Sequence, residues 1–176
     1  MFSKILVAMD NSASSQTIFE SALVLAKATE AELMLLHVLS LEEEGTPVSP
    51  LLSSLDYYTP VNDDIIQIYK KQWETFENRG LDLLRSRTDE ATSVGVKTEF
   101  TQTPGSPGRT ICELAQNWGA DLIVMGRRGR SGLSELILGS VSNYVTHHAH
   151  CSVLTVQGKA NSCTEVAQEN QELSVS

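Results

Sequence analysis

The chain has 176 residues, 41% of them hydrophobic and 20% charged, which is enough apolar mass to close one globular core. A formal net charge of −9 at pH 7 repels nucleic acid and anionic membrane, and so argues against a duplex-binding function. Cys112, Cys151 and Cys163 are odd in number, far apart and without a C-x-x-C pair, which argues against a disulfide framework or structural zinc and for reduced thiols.

The start, Met1-Phe2-Ser3-Lys4, runs directly into the apolar stretch Ile5-Leu6-Val7-Ala8-Met9, a strand covered on both faces. Neither a signal peptide nor a membrane span is expected, and the expected compartment is the cytoplasm. Residues 12–29 place Ile18, Phe19, Ala22, Leu25 and Ala26 at helical spacing behind a serine-rich start able to cap the helix. Leu33-Met34-Leu35-Leu36-His37-Val38-Leu39 predicts a second buried strand. Residues 39–62 then break the rhythm. Pro47, Pro50 and Pro60, three of the five prolines, and Glu42-Glu43-Glu44 mark a surface insertion over about residues 40–62, read either as a mobile stretch or as a lid.

Ile65, Tyr69, Trp73, Phe76 and Leu84 form the stripe of a second, longer helix. Val94, Val96, Thr98 and Phe100 alternate with Gly95, Lys97 and Glu99, which predicts a strand with one wet face at a sheet edge. Ser106 and Pro107 are the expected N-cap and first residue of a third helix bearing Ile111, Leu114, Ala115 and Trp118. Leu122-Ile123-Val124-Met125 predicts a fourth strand, residues 140–148 a fourth helix, and Val153-Leu154-Thr155-Val156 a fifth strand. Residues 158–176 are polar and aperiodic and read as a disordered tail. Strands and helices alternating in this way, with short right-handed connections, select an open, doubly wound α/β sheet of parallel strands, one domain over residues 1–157.

The segment after the fourth strand carries the chemistry. Gly126-Arg127-Arg128-Gly129-Arg130-Ser131-Gly132 leads to Gly139-Ser140 at a helix start, and a glycine exit that meets free helix N–H groups grips phosphates. The three arginines make a basic spot on an acidic protein, either drawing a small anion or forming a solvated loop. The spacing lacks the G-x-G-x-x-G of dinucleotide folds and the G-K-[ST] ending of a P-loop. It does satisfy G-x2-G-x9-G-[ST] at Gly126, Gly129, Gly139 and Ser140. With this motif, Ile5-Leu6-Val7-Ala8-Met9-Asp10, Leu35-Leu36-His37-Val38 and His148-Ala149-His150-Cys151-Ser152-Val153-Leu154, the chain resembles the ATP-binding subtype of the universal stress protein family from Ser3 to Gln157.

That resemblance implies a Rossmann-like sheet of five parallel strands in order 3-2-1-4-5 with helices on both faces. Ligands in such sheets bind beyond the carboxyl ends of the strands where the order reverses, here between Asp10 and Gly126. The resemblance gives Asp10 the ribose hydroxyls; a helix-capping or turn aspartate is the alternative for that residue. It places Ala8 and Val38 along an adenine pocket, although as side chains they also read as strand core, and Met125 beside the nucleotide or as ordinary core filling. Gly126 and Gly129 leave room for phosphates, and Gly139, Ser140 and Val141 offer amides at a helix N-terminus, Ser140 doubling as its N-cap. Ser131 and Gly132 are secondary.

The implied ligand is ATP or a related adenine nucleotide (AMP, ADP or a cyclic nucleotide), with Mg²⁺ accompanying ATP. The implied role is a stress-response module that works by binding and by conformational or partner switching, with slow ATP hydrolysis at most. A homodimer through Val153, Leu154, Thr155 and Val156 is expected because the strand order leaves this apolar strand at an edge. Neither nucleic acid nor membrane is an expected partner.

Two further readings compete. An ATP-cleaving ligase or pyrophosphatase of the wider superfamily carries a serine-glycine-glycine loop after its first strand, where this chain has Asp10-Asn11-Ser12-Ala13-Ser14. A nucleotide-independent dimeric interaction protein would use the glycines only for a tight loop. His147, His148 and His150 lack ligand spacing for a metal, and His37 on a buried strand reads as a satisfied core histidine rather than a catalyst.

Overall fold

The computed structural model describes residues 1–43, 45–48, 63–127 and 139–157. Gly129, Ser131, Gly132, Arg128, Arg130, Cys163, most of the proline-rich insertion and the tail 158–176 therefore lie outside the described residues. In chain order the elements are β1 (Lys4–Met9), α1 (Ser15–Thr29), β2 (Glu32–Leu39), α2 (Asp63–Ser93), β3 (Thr98–Pro104), α3 (Pro107–Trp118), β4 (Leu122–Gly126), α4 (Ser140–His148) and β5 (Ser152–Val156). The five strands form one parallel sheet in order β3-β2-β1-β4-β5.

Alternation along the central strands divides the core into two layers, because successive side chains leave opposite faces of a strand. Ile5, Val7 and Met9 of β1 join Leu33, Leu35 and Val124 beneath Ile18, Phe19 and Ala22 of α1 and Leu84 of α2. Leu6, with Leu36, Ile123 and Met125, faces Ile111 and Ala115 of α3 and Val145 of α4. Ile5, Leu6, Val7, Ile123 and Val124 have no exposed surface. Two covered faces explain why these strands read as unbroken apolar runs.

Three expectations are corrected in position. The edge strand starts at Thr98, four residues after the alternation begins, because α2 continues to Ser93. Gly95 then turns at φ +84°, and the Val96 N–H returns to the Ala91 carbonyl at 3.0 Å. Val96 is buried as the apolar residue that closes such a helix end, so its alternation with Val94 belongs to a turn. The second helix buries Phe76, Gly80, Leu84 and Ala91, whereas Ile65 stays 46% exposed. At about 1.5 Å per residue, a 31-residue helix outruns the strands it covers, and its first turns have no sheet beneath them. The first helix begins at Ser15, and Ser14 is its N-cap without a side-chain capping bond, its hydroxyl lying 2.8 Å from Ser12 Oγ. Pro107 does open α3 after an extended Ser106, and Gly119 closes it at φ +74°.

Candidate functional site

The strand order reverses between β1 and β4, and the carboxyl ends there are Met9-Asp10 and Gly126-Arg127. Helices depart from the two strands to opposite faces, which opens a crevice at this point. Ala8 lies opposite Met125 in the ladder, and Val38 stands at the corresponding end of β2. Ala8, Val38, Met125 and Val141 share the apolar cluster on the α3–α4 face. Four of the sequence-predicted residues are thus brought to one wall at the carboxyl end of the sheet.

Gly126 ends β4 opposite Val156, and the Arg127 N–H continues the ladder to the Val156 carbonyl at 2.9 Å. A Cβ on Gly126 would stand 2.7 Å from Ile18 Cδ1, so the missing side chain first serves the close approach of α1. Gly139 is the N-cap of α4, and its carbonyl accepts from the Asn143 N–H at 2.8 Å and the Ser142 hydroxyl at 3.0 Å. Ser140, expected as the cap, is instead the first helical residue and is exposed. The N–H groups of Ser140, Val141 and Ser142 precede the first intrahelical donor, Asn143, and give this end its partial positive charge.

Asp10 is built into a turn. Its Oδ1 accepts from the Ser12 N–H at 3.0 Å and from the Ser12 hydroxyl, its own N–H reaches Ser15 Oγ at 3.1 Å, and Ser15 Oγ donates to its carbonyl at 2.7 Å. Ser12 thus bonds the Asp10 carboxylate and Ser15 the Asp10 main chain, and α1 has no side-chain capping bond.

Behind Asp10 lies a polar cluster that the sequence did not disclose. His37 has no exposed surface. Its Nε2 is 2.9 and 3.0 Å from the two carboxylate oxygens of Glu43, and its Nδ1 is 3.2 Å from Gln102 Oε1. Gln102 commits its amide nitrogen to the Glu77 carbonyl at 3.1 Å, which leaves its oxygen for the histidine. Both ring nitrogens therefore face acceptors, the arrangement an imidazolium satisfies. Burial works to lower the His37 pKa, but the bond to Glu43 and its charge, the Gln102 bond and the charge of Asp10 together raise it above 6.5. His37 is the satisfied core histidine expected.

Glu43 departs from expectation. Assigned to a surface insertion, its side chain is only 5% exposed, and besides His37 it accepts the Asn11 N–H at 2.8 Å. The acid-rich sequence around it concealed a buried ion pair. Room for that pair comes from Gly80, inside α2: a Cβ there would stand 2.6 Å from both Gln102 Oε1 and His37 Cε1. Asn11 completes the cluster with a side chain whose Oδ1 and Nδ2 are both buried and, among the described residues, without a hydrogen-bond partner. The available signals were a histidine in a buried strand followed six residues later by an acid, and a glycine on a helical stripe.

A separate cavity of about 380 Å³ lies between the loop after β2 and α2, lined among the described residues by Gly45, Pro47, Gln72, Thr75 and Phe76, none of them a predicted site residue. His148 stacks on Tyr144 at 4.0 Å and donates from Nδ1 to the Tyr144 carbonyl at 2.8 Å. No helix among the described residues is long and apolar enough to cross a membrane.

The model of the universal stress protein family matches residues 1–157. Universal stress protein Sll1388 of Synechocystis is 36% identical over 156 residues, covering 89% of this chain and 98% of its own. Universal stress protein YxiE of Bacillus subtilis is 37% identical over 159 residues, covering 89% and 100%. Among solved structures, UspA from Lactobacillus plantarum superposes with a TM-score of 0.66 at 22% identity, over 88% of this chain and 97% of that one. A universal stress protein family protein from Arabidopsis thaliana with AMP bound gives 0.59 at 23%, over 90% and 93%. A universal stress protein in complex with cAMP gives 0.58 at 23%, over 89% and 98%. At these identities the structural likeness concerns the fold.

Proposed function

The chain belongs to the universal stress protein family, and on that premise we propose that its β1–β4 crevice binds an adenine nucleotide. The observation that carries this reading is the pairing, at the reversal of the strand order, of a carboxylate held at one strand exit with a strand exit that bears no side chain at the other, Asp10 and Gly126. Asp10 accepts from the ribose hydroxyls. Ala8, Val38 and Met125 line the base, and Val141 closes the same apolar wall. Gly126, Gly129 and the amides of Gly139, Ser140 and Val141 take the phosphates, drawn by the positive end of α4. The family's solved members with AMP and cAMP support an adenine ligand.

ATP is the ligand we favour, with Mg²⁺ entering as its companion, and AMP, ADP and cyclic nucleotides are the competing occupants. The module works by binding, through conformational or partner switching. Catalytic phosphoryl transfer requires a group that orients the attacking water, and no residue is assigned that role here; slow hydrolysis is the most the site would support. Acid extraction of freshly purified protein should release an adenine nucleotide. Calorimetric titration of the stripped protein with ATP, ADP, AMP and cyclic AMP should give saturable binding to one of them. A clean extract together with four flat titrations sinks the reading.

Residues Val153, Leu154, Thr155 and Val156 support a second element of the proposal, a homodimer paired through β5. This strand is at the sheet edge with Leu154 38% exposed, and an apolar edge is stabilised by pairing. Sedimentation at micromolar concentration should show the dimer, and a monomer alone would refute it.

A further inference from the structure

We propose that His37 and Glu43 form a proton-held latch that positions Asp10 and Asn11 and thereby couples nucleotide affinity to pH. The inference rests on the adenine-nucleotide reading of the crevice above. Its geometric basis is the continuous chain of bonds from the edge strand β3 to the rim of the crevice. Gln102 on β3 receives His37 Nδ1–H, His37 Nε2–H reaches Glu43, and Glu43 Oε1 receives the N–H of Asn11, the residue next to Asp10.

Among the described residues, the groups facing His37 come from every element around it. The loop after β2 supplies Glu43, the exit of β1 the charge of Asp10, β3 the neutral Gln102, and α2 only Phe76 and Gly80. The Glu77 carboxylate, one residue from Phe76, is engaged by Trp73 Nε1 at 2.8 Å. Protonated His37 is thus a cation bonded to the Glu43 carboxylate and within the field of the Asp10 carboxylate.

Loss of the proton has two consequences with the same sign. Nδ1 or Nε2 must then face an oxygen acceptor with a lone pair, so one bond of the chain, to Gln102 or to Glu43, is lost, and in either tautomer Glu43 loses its counter-charge. The neighbourhood of Glu43 and Asp10 also loses one positive charge, which makes the rim more negative and repels an anionic ligand. Asn11 makes the latched state responsive to such a change, since that state leaves both polar atoms of its carboxamide buried without partners among the described residues. Such a group gains bonds when the β1 exit loosens. Affinity for the nucleotide therefore falls as pH rises through the His37 titration, and by reciprocity bound nucleotide raises that titration further.

The test uses the full chain and cyclic AMP, whose single phosphodiester charge does not change across the range. Between about pH 6 and about pH 9 the dissociation constant should weaken about three- to ten-fold, the effect of a modest shift in one coupled group. Glu43→Gln should abolish that slope. In the wild-type protein, NMR titration of His37 Cε1–H should show a higher midpoint with cyclic AMP bound than without it. A flat affinity profile, an equal slope in Glu43→Gln, or a His37 midpoint indifferent to ligand overturns the latch while leaving nucleotide binding intact. Failure of cyclic AMP to bind at any pH also overturns it, and the ATP, ADP and AMP titrations then decide separately whether the nucleotide reading falls with it.

Discussion

The two ends of the sheet each anchor their strands with a carboxylate, but by opposite means. At the amino end, the surface residue Asp121 accepts the N–H groups of Ser3 and Lys4 at 2.8 and 2.9 Å, and Lys4 Nζ reaches the Trp118 carbonyl at 3.1 Å. Those backbone bonds hold the Asp121 carboxyl below its usual 3.8. At the carboxyl end, Glu43 is buried against a buried histidine, and beside them lies an asparagine whose side chain has no partner among the described residues. The amino end is held by bonds that water would nearly replace. The carboxyl end keeps charges in a place where each depends on its partner, a costly arrangement of the kind that functional sites retain.

Replacing one partner should break the comparison most sharply. His37→Ala leaves Glu43 buried without its counter-charge, and urea unfolding should show a loss of about 3–5 kcal/mol. Ser140→Ala should weaken nucleotide binding by about 1–3 kcal/mol through the loss of one donor, with little change in melting temperature, as calorimetry would show. Gly80→Ala gains helix propensity of about 1 kcal/mol but drives a methyl into the imidazole and Gln102; a net destabilisation of about 1–2 kcal/mol is expected from the overpacking. Asp121→Asn should cost less than about 1 kcal/mol at neutral pH, because the group it alters is exposed to water, and should leave nucleotide affinity unchanged.

The two ends should also respond to pH in opposite directions. The His37 pKa is raised on folding, so its contribution is fully present below 6.5 and is lost as pH rises through the higher folded value. The Asp121 pKa is depressed, so its contribution is present above 3.8 and is lost as pH falls through the lower folded value. Denaturant midpoints measured against pH should lose their alkaline decline in His37→Gln and part of their acid decline in Asp121→Asn. If either variant flattens the opposite limb, the assignment of the two ends is wrong.

Much of this molecule was legible in one dimension. Ile5 to Met9 and Leu122 to Met125 announced central strands because a strand with both faces covered has no polar positions to interrupt it. Pro107 marked a helix start by its fixed φ and missing donor. What the sequence obscured were positions whose meaning depends on a distant partner. Val94 and Val96 alternated like a strand while closing a helix. Ile65 matched the stripe of α2, yet that turn lies beyond the sheet. Glu43, one of three consecutive acids, carried no mark of its burial, and nothing local to Gly80 showed that His37 and Gln102 pack against it.

The sequence by itself determined the alternation of strands and helices, the expected five-stranded parallel sheet, and the candidate residues at the ends of β1 and β4, because hydrophobic period, capping and glycine spacing are local properties. Only the tertiary structure decided that His37, Glu43, Gln102, Gly80 and Asn11 form one cluster beneath those ends. Charge pairing and burial are relations between residues up to 65 positions apart, and local pattern carries no record of them.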